Sequence, residues 1–440
     1  MTKPLVAIVG KPNVGKSTFF NKVCGGRISI VSDMPGVTRD RVYADAEWRG
    51  RKFTLIDTGG IQFESDDIMF RHIKKQAEIA VDLADVILFF TDLKTGLTRE
   101  DYDVCDLLRK TNKPVLLVVN KVDNYLEADL TEFYSLGLGD FYPIAAEQKQ
   151  GFGDLLEAVV ENFPEEDYDD HRDAIKIAVV GKPNAGKSSL VNRILGYDRT
   201  IVSDIAGTTR DAIDTPFTYN GKNYIVIDTA GMRRKRAIED ESVEQYSVVR
   251  SLNAVRRADV CLIVMDANEG LSEQDVKIAG FINDEGKPSV VVINKWDLVE
   301  KDTYTVEKFK KQLSTDLAFM DYFKYITLSA LTGQRVGKLM ELVDYVYEKS
   351  NFRATTGLLN DVVTDAVRAV EPPSSKGRRA KIKYVTQPTT QPPTFVFFVS
   401  DAKLIHFSYR RYLENCIRRS FQLDGTPVRL VFRDDSSDKE

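Results

Sequence analysis

Two glycine-rich segments that end in a lysine and a serine are the first residues whose spacing predicts chemistry. Each fits the pattern G-x-x-x-x-G-K-S. The glycines let the backbone wrap around phosphates, which its N–H groups and the next helix N-terminus stabilise. The lysine reaches the β- and γ-phosphates, and the serine ligates magnesium. The segments are Gly10, Lys11, Pro12, Asn13, Val14, Gly15, Lys16 and Ser17, and Gly181, Lys182, Pro183, Asn184, Ala185, Gly186, Lys187 and Ser188.

Two D-T-x-G segments, each after a predicted strand, supply a second set of phosphate contacts. The aspartate holds magnesium through water, and the final glycine N–H contacts the γ-phosphate. The same pattern also fits a plain turn. Upstream, Thr38 and Thr209 are expected to close on magnesium and the γ-phosphate, which makes their loops the switch. The segments, each with the residue that follows, are Asp57, Thr58, Gly59, Gly60 and Ile61, and Asp228, Thr229, Ala230, Gly231 and Met232.

Two N-K-x-D segments identify the base. A carboxylate that accepts hydrogen bonds from guanine N1–H and the exocyclic amine cannot pair with adenine, and a buried polar site of that kind discriminates by about 10⁴ or more. A Ser-Ala loop that reads the base carbonyl should follow each. Ser329 and Ala330 fit this in the second copy, whereas the first has Ala146 after an alanine and lacks the serine. The N-K-x-D residues are Asn120, Lys121 and Asp123, and Asn294, Lys295 and Asp297.

The residues that would activate water are not those of Ras-like GTPases. A glutamine normally follows D-x-x-G, but Ile61 and Met232 stand there and cannot position water. The chain resembles, in this respect, GTPases in which a P-loop asparagine ligates potassium, and the cation replaces an arginine finger. That resemblance implies potassium ligation by Asn13 and Asn184 and slow intrinsic hydrolysis. The alternative is that both asparagines only cap the loop.

These motifs lie in a long internal repeat. The P-loop recurs from Gly10 to Gly181 and the D-T-x-G segment from Asp57 to Asp228, at one constant offset, and the N-K-x-D segment recurs at almost the same offset. Short apolar strands alternate with helical stretches, which predicts a doubly wound, mostly parallel α/β sheet in each copy, with ligands at the carboxyl ends of the strands. The expected boundaries are a first domain at 1–164, an acidic linker at 165–174 and a second domain at 175–350.

Residues 351–440 follow a different pattern, that of a small α+β domain. They contain 15 Lys and Arg against 10 Asp and Glu, whereas the first 350 residues contain 46 against 56. This asymmetry favours a polyanionic partner, although chance clustering on a solvated surface would also produce it. A basic run at 232–236 admits the same two interpretations. The expected RNA-contacting side chains in the C-terminal domain are Arg378, Arg379, Lys381, Arg410, Arg411, Arg418 and Arg419.

Two consecutive GTPase-like domains and a small basic domain resemble the Der (EngA) family of bacterial ribosome-assembly GTPases over essentially the whole chain. The stretches 377–384, 392–398 and 406–415 resemble its KH-like domain, although the G-x-x-G loop of standard KH modules is missing. The resemblance implies GTP and GDP, magnesium and potassium as ligands, and the large ribosomal subunit and ribosomal RNA as partners. It also implies that nucleotide state controls the domain arrangement.

Other function classes remain open or are disfavoured. The missing glutamines leave room for an RNA-associated scaffold in which GTP binding mainly sets conformation. A tRNA-modification GTPase shares the asparagine P-loop but normally has one GTPase domain. No apolar run in the sequence is long enough for a membrane span. Four scattered cysteines favour a reducing cytoplasm. We expect a cytoplasmic monomer with no DNA partner.

Overall fold

The chain forms two compact units, the first containing one β-sheet and the second containing two. The computed structural model describes residues 3–24, 43–57, 77–78, 80–81, 83–125, 128–164, 173–196, 200–202, 214–227, 242–300, 302, 304–373 and 378–434.

The sheet of the first unit has six strands in the order β2-β3-β1-β4-β5-β6. Only β2 runs antiparallel to its neighbour, and β1 lies where the strand order reverses. The strands are β1 Leu5–Val9, β2 Tyr43–Trp48, β3 Arg51–Asp57, β4 Val86–Asp92, β5 Val115–Asn120 and β6 Phe141–Pro143. The helices are α1 Lys16–Cys24, α2 Arg99–Leu108 and α3 Phe152–Glu161.

Burial on both sheet faces explains why β1 and β4 are apolar without alternation. Every residue of both strands is buried, as in parallel sheets covered by helices. Phe19 of α1 packs against Phe90 and Phe152, with ring centroids 5.2 and 4.9 Å away. This aromatic cluster fixes α1, and hence the loop that precedes it, against the sheet.

The second unit repeats this arrangement in a seven-stranded sheet, in the order β13-β12-β11-β7-β10-β9-β8. Its additional strand, β8, extends the antiparallel edge. The strands are β7 Ile175–Val180, β8 Thr200–Val202, β9 Thr215–Tyr219, β10 Lys222–Val226, β11 Val260–Asp266, β12 Ser289–Asn294 and β13 Lys324–Thr327. The helices are α4 Lys187–Leu195, α5 Ser242–Arg257 (of which the part from Ser247 belongs to this unit), α6 Glu273–Asp284, α7 Thr305–Asp316 and α8 Val336–Ser350.

A three-stranded sheet and two helices form the C-terminal domain. Strand β15 pairs antiparallel with β14 and parallel with β16. The proline-rich sequence from Pro388 to Pro393 predicts a loop between two strands, but the loop is shorter than this because β14 continues to Thr389. A register shift after Thr386 accommodates Pro388. The elements are α9 Thr356–Ala369, β14 Ile382–Thr389, β15 Thr394–Val399, α10 Phe407–Phe421 and β16 Arg429–Asp434.

Backbone hydrogen bonds join this small domain to the second sheet. The amide of Ser289, at the start of β12, donates to the Gly425 carbonyl at 3.0 Å, and the Gly425 amide donates to the Tyr322 carbonyl at 2.7 Å. The turn after α10 is therefore bonded to the amino end of the sheet, opposite the P-loop.

The predicted fold class is confirmed: two doubly wound α/β sheets precede a small α+β domain. The domain boundaries stay a prediction, and residues 165–172 of the proposed linker lie outside the described residues. Within the described part of the chain, no helix has the length and apolar composition needed to cross a membrane.

Candidate nucleotide-binding sites

Both P-loops lie at the carboxyl end of a central strand, where doubly wound sheets bind ligands. In the first, the Lys16 ammonium donates to the carbonyls of Gly10 and Lys11, at 2.6 and 2.7 Å. In the second, Lys187 donates to Gly181 at 2.6 Å and also to the Lys182 carbonyl. Each lysine therefore spans its own loop. Burial lowers the pKa of Lys16 to about 8, an effect that nearby Asp57 opposes.

The second glycine of each P-loop motif cannot be replaced by a residue with a side chain, for a steric reason. Gly15 and Gly186 have φ of +93° and +92°, and a Cβ on either would lie 2.1 Å from an amide nitrogen of Asn120 or Asn294. No other residue allows this approach with a left-handed backbone. The P-loop and the N-K-x-D segment are therefore packed against each other.

Asn120 and Asn294 also bridge two loops in their own copy. One is the P-loop, the phosphate loop, and the other is the loop that contains Ala146 or Ala330 and is predicted to contact the base, the base loop. The Asn120 amide donates to the Val14 carbonyl at 2.7 Å, and its oxygen accepts from the Ala146 amide at 3.0 Å. Asn294 makes the same two bonds, at 2.9 and 3.0 Å, to the Ala185 carbonyl and the Ala330 amide. All four bonds are buried, so one side chain in each copy couples two loops.

Because the first copy has an alanine in place of Ser329, it lacks one local hydrogen bond, but its backbone arrangement is the same. Ser329 Oγ accepts from the Thr332 amide at 3.1 Å, a bond that an alanine cannot make. The Ala145 amide nevertheless donates to Gln150 at 3.2 Å, as the Ser329 amide does to Gln334 at 3.3 Å. Ala146 accordingly occupies the place of Ala330.

The carboxylates that are predicted to read the base differ between the copies. Asp123 pairs with Lys94 at 2.7 Å, whereas Oδ1 of Asp297 is buried and has no partner in the described part of the chain. An orphaned buried acceptor of this kind fits a ligand that donates hydrogen bonds. The lysines between the motif's Asn and Asp are held in turn, because Lys121 pairs with Asp92 at 2.5 Å and Lys295 with Asp266 at 2.6 Å.

The proposed magnesium ligands can be tested in the first copy only. Ser17 Oγ donates to Asp57 Oδ2 at 2.8 Å, which places a hydroxyl and a carboxylate together at the start of α1. Hard oxygen donors at this spacing fit magnesium, which prefers few protein ligands plus phosphate and water. Ser188 occupies the matching place on α4, while Asp228 lies outside the described residues.

Besides the predicted potassium ligation, backbone conformation also explains why asparagine stands in each P-loop. Asn13 and Asn184 have φ of 65° and 64°. This is a left-handed conformation that asparagine tolerates better than most residues. Both side chains are exposed. The geometry is thus compatible with the loop-capping alternative, and potassium ligation stays a prediction.

Several predicted residues lie outside the described part of the chain. These are the switch threonines, most of both D-T-x-G segments and the basic run at 232–236. The predicted site residues in this group are Thr38, Thr58, Gly59, Gly60, Ile61, Thr209, Asp228, Thr229, Ala230, Gly231 and Met232.

A buried ion pair next to the first P-loop was not among the sequence predictions. Lys11 Nζ lies 2.9 Å from Asp101 Oδ2, and their side chains are 12% and 1% exposed. Asp101 also accepts from the amide and hydroxyl of Thr98, so that it caps α2. The Thr98-to-Asp101 spacing is a helix-capping signal, but Lys11 is far from this segment in sequence and no local pattern indicates the pair.

The expectation that Arg418 contacts RNA is wrong. Its side chain is buried, and its guanidinium donates to the Leu423 and Thr426 carbonyls at 2.9 and 2.8 Å. Two tyrosines of the same helix, Tyr409 and Tyr412, pack against the end of α9, where their hydroxyls donate to the Val370 and Ala366 carbonyls.

Comparison with known proteins agrees with this geometry. A family model described as "50S ribosome-binding GTPase" matches residues 5–121 and 176–295. A second, described as "KH-domain-like of EngA bacterial GTPase enzymes, C-terminal", matches residues 353–433. The predicted KH-like nature of the C-terminal domain is thereby confirmed.

Curated relatives match over their full length. Proteins named GTPase Der from Acetivibrio thermocellus and Ruminiclostridium cellulolyticum are 54% and 55% identical, and the matches cover 99% and 98% of this chain and 99% of each relative. GTPase Der of Desulfitobacterium hafniense is 54% identical, with complete coverage of both chains. With two matching nucleotide sites in tandem and a KH-like domain behind them, this chain belongs to the GTPase Der (EngA) family.

Proposed function

We propose that this protein is a GTP-hydrolysing switch that acts in the assembly of the large ribosomal subunit. The observation that carries the proposal is the duplicated site, in which an asparagine joins the phosphate loop to the base loop in both copies. A matching family model is described as ribosome-binding, and the C-terminal domain adds net positive charge. We infer that ribosomal RNA is the polyanion this domain contacts and that the protein works in the cytoplasm as a monomer.

The proposed roles of the described residues follow from their chemistry. Lys16 and Lys187 would release their loop carbonyls and bind the β- and γ-phosphates. Asp123 and Asp297 would read guanine, while the backbone at Ala146 and Ala330 contacts the base carbonyl. Ser17 and Asp57 would hold magnesium, which neutralises developing phosphate charge when bound.

GTP hydrolysis requires that the attacking water be positioned, and neither copy has the usual glutamine for this after its D-x-x-G segment. Because Ile61 and Met232 have no hydrogen-bonding group, neither can replace the glutamine of Ras-like enzymes. We propose slow intrinsic hydrolysis that potassium stimulates through Asn13 and Asn184. The same substitutions favour the second candidate, an RNA-associated scaffold in which GTP binding mainly sets conformation.

We also propose domain boundaries at 1–164, 175–350 and 351–440, with an acidic linker at 165–174. In this arrangement Thr38 and Thr209 close on the γ-phosphate, and nucleotide state alters the arrangement of the domains. Cosedimentation with purified large ribosomal subunits tests this part. Binding should differ between GDP and a non-hydrolysable GTP analogue, whereas equal binding in both states would remove the switch.

Steady-state GTP hydrolysis in potassium and in sodium tests the enzymatic part. Potassium should accelerate turnover, and Asn13→Ala or Asn184→Ala should remove the acceleration contributed by the altered domain. Asn162→Ala, at the end of α3, is the matched control. Equal rates in both salts would reject the cation-assisted mechanism, and no turnover in either would favour the scaffold.

A further inference from the structure

The two base sites are built on the same turn but differ in one side chain. After β4, the Lys94 amide donates to Asp92 Oδ1 at 2.8 Å, and after β11, the Asn268 amide donates to Asp266 Oδ1 at 2.9 Å. Both residues lie two positions after the end of a central strand, and both are exposed. The two copies therefore have a lysine and an asparagine, respectively, at equivalent positions of the same turn.

The lysine reaches the carboxylate that would read guanine. Lys94 Nζ lies 2.7 Å from Asp123 Oδ2, and Gln148 Nε2 lies 3.4 Å from Asp123 Oδ1. Both oxygens of Asp123 thus have donors before any base is present. In the second copy, Asp297 Oδ1 is buried and lacks a hydrogen-bond partner among the described residues.

We propose that Lys94 competes with guanine for Asp123, so that the first domain binds guanine nucleotides more weakly than it would with an uncharged residue at position 94. A carboxylate that already accepts from an ammonium is a poorer acceptor for the base N1–H and exocyclic amine, because part of its charge is neutralised. Asn268 carries no charge and leaves Asp297 available to the base. This inference rests on the proposed guanine-reading role of Asp123.

The pair is solvent-exposed, which bounds the effect. The Lys94 and Asp123 side chains are 62% and 48% exposed. Exposed ion pairs contribute little and weaken as salt is added. We therefore expect about a two- to fivefold difference in affinity. A change of this size would bias which domain fills first without abolishing binding to either.

The full-length chain allows each site to be measured alone. Asp297→Asn replaces an acceptor by a donor and removes guanine binding from the second domain, so a fluorescent GDP then reports the first. Asp123→Asn isolates the second domain in the same way. Stoichiometry should fall from two to one in each background.

In the Asp297→Asn chain, Lys94→Asn should tighten GDP binding about two- to fivefold. The gain should shrink in about 0.5 M salt, because the lost pair is screened there. The ratio of GDP to inosine diphosphate affinity should also rise, since only guanine has an exocyclic amine to use the released oxygen. Lys110→Asn makes the same charge change at an exposed site after α2 and should leave both values unchanged.

The reciprocal substitution should reproduce the effect. Asn268→Lys in the Asp123→Asn chain should weaken GDP binding by a similar factor. Unchanged or weaker GDP binding after Lys94→Asn would overturn the inference and make Lys94 neutral or supportive. If the Asp297→Asn chain bound no GDP, the proposed function of the first domain would fail, and the inference with it.

Discussion

The ammonium of Lys11 lies 2.9 Å from the carboxylate of Asp101 and joins the first P-loop to the N-terminus of α2. Lys11 also donates to the Gly96 carbonyl at 3.1 Å. The second copy joins its P-loop to the equivalent helix by a different bond. Asp275 accepts from the Lys182 backbone amide at 2.8 Å, while the Lys182 ammonium pairs with exposed Glu269. The first P-loop therefore depends on a buried ion pair that the second does not need.

Asp101→Asn should destabilise the first unit by about 3 kcal/mol, because it leaves a nearly buried lysine without its counter-charge. Hydrogen exchange of β1 and α2 amides in the nucleotide-free protein measures this directly. The control is Asp106→Asn, which removes an exposed pair with Arg109. Its effect on stability should be small, as for most exposed ion pairs. Equal protection in both variants would show that the Lys11 pair contributes nothing net.

Asn120→Ala and Asn294→Ala should each weaken GDP binding at their own site by about 10- to 100-fold. Each change leaves a buried carbonyl and a buried amide without partners in the intact loop arrangement, and about 1 kcal/mol per group, or roughly 2 kcal/mol together, corresponds to a loss in that range. Titration with fluorescent GDP measures the loss, with the other site silenced at Asp297 or Asp123. Retained affinity would mean that the P-loop and base loop are held in place without the bridging asparagine.

GDP binding to the first domain should weaken as the pH rises above about 8. Burial lowers the pKa of Lys16 to about 8, and the phosphates bind the protonated form. Affinity is therefore constant below that pH and falls by up to about tenfold per pH unit above it. Binding measured at about pH 7, 8 and 9 in the Asp297→Asn chain tests this, and Lys16→Gln should bind weakly with no such slope.

The same pKa has an opposite consequence for folding. Unfolded lysine titrates near its ordinary pKa of 10.5, whereas the folded value is about 8. Between these two values the unfolded state holds more protons than the folded state, so stability rises with pH. The Lys16 contribution to stability without nucleotide should thus increase across that window. A contribution that fell instead would contradict the assigned direction of the shift.

Arg418→Ala should loosen the attachment of the C-terminal domain to the second sheet. The Arg418 guanidinium lies 4.4 Å from the Tyr322 ring centre and donates to two carbonyls of the turn that includes Gly425. Losing these contacts should cost about 2–4 kcal/mol. Faster hydrogen exchange at Ser289 would report the change, and Arg419→Ala, at the exposed neighbour, should leave that amide protected.

Much of the fold could be predicted because the core strands are apolar runs that end at recognisable loops. Strand β9, by contrast, alternates polar and apolar residues and is not predicted, although Asn220 and Gly221 form a turn signal before β10. Both have positive φ, 49° and 78°. A tight hairpin requires such values. The proline at 388 suggests from the sequence that β14 ends before it, yet the strand continues to Thr389 and a register shift accommodates the proline.

The site was predictable where chemistry is local and not where it depends on distant partners. Glycine, lysine and serine in one loop indicate phosphate binding from the sequence alone. Nothing near Arg418 indicates that the carbonyls of the following turn will enclose it, and nothing near Lys94 identifies Asp123 as its partner. Such pairings depend on how the chain returns to the same sheet edge.

Strand β12 begins at Ser289, which is bonded to the C-terminal domain, and ends at Asn294, which is bonded to the P-loop. Every residue of this strand is buried. At a rise of about 3.3 Å per residue, the strand forms a rod of roughly 20 Å. Because β11 and β13 are bonded to its two edges, we expect this strand to move as one piece. We therefore expect a displacement of the KH-like domain to be transmitted along β12 to the residues predicted to bind guanine in the second domain.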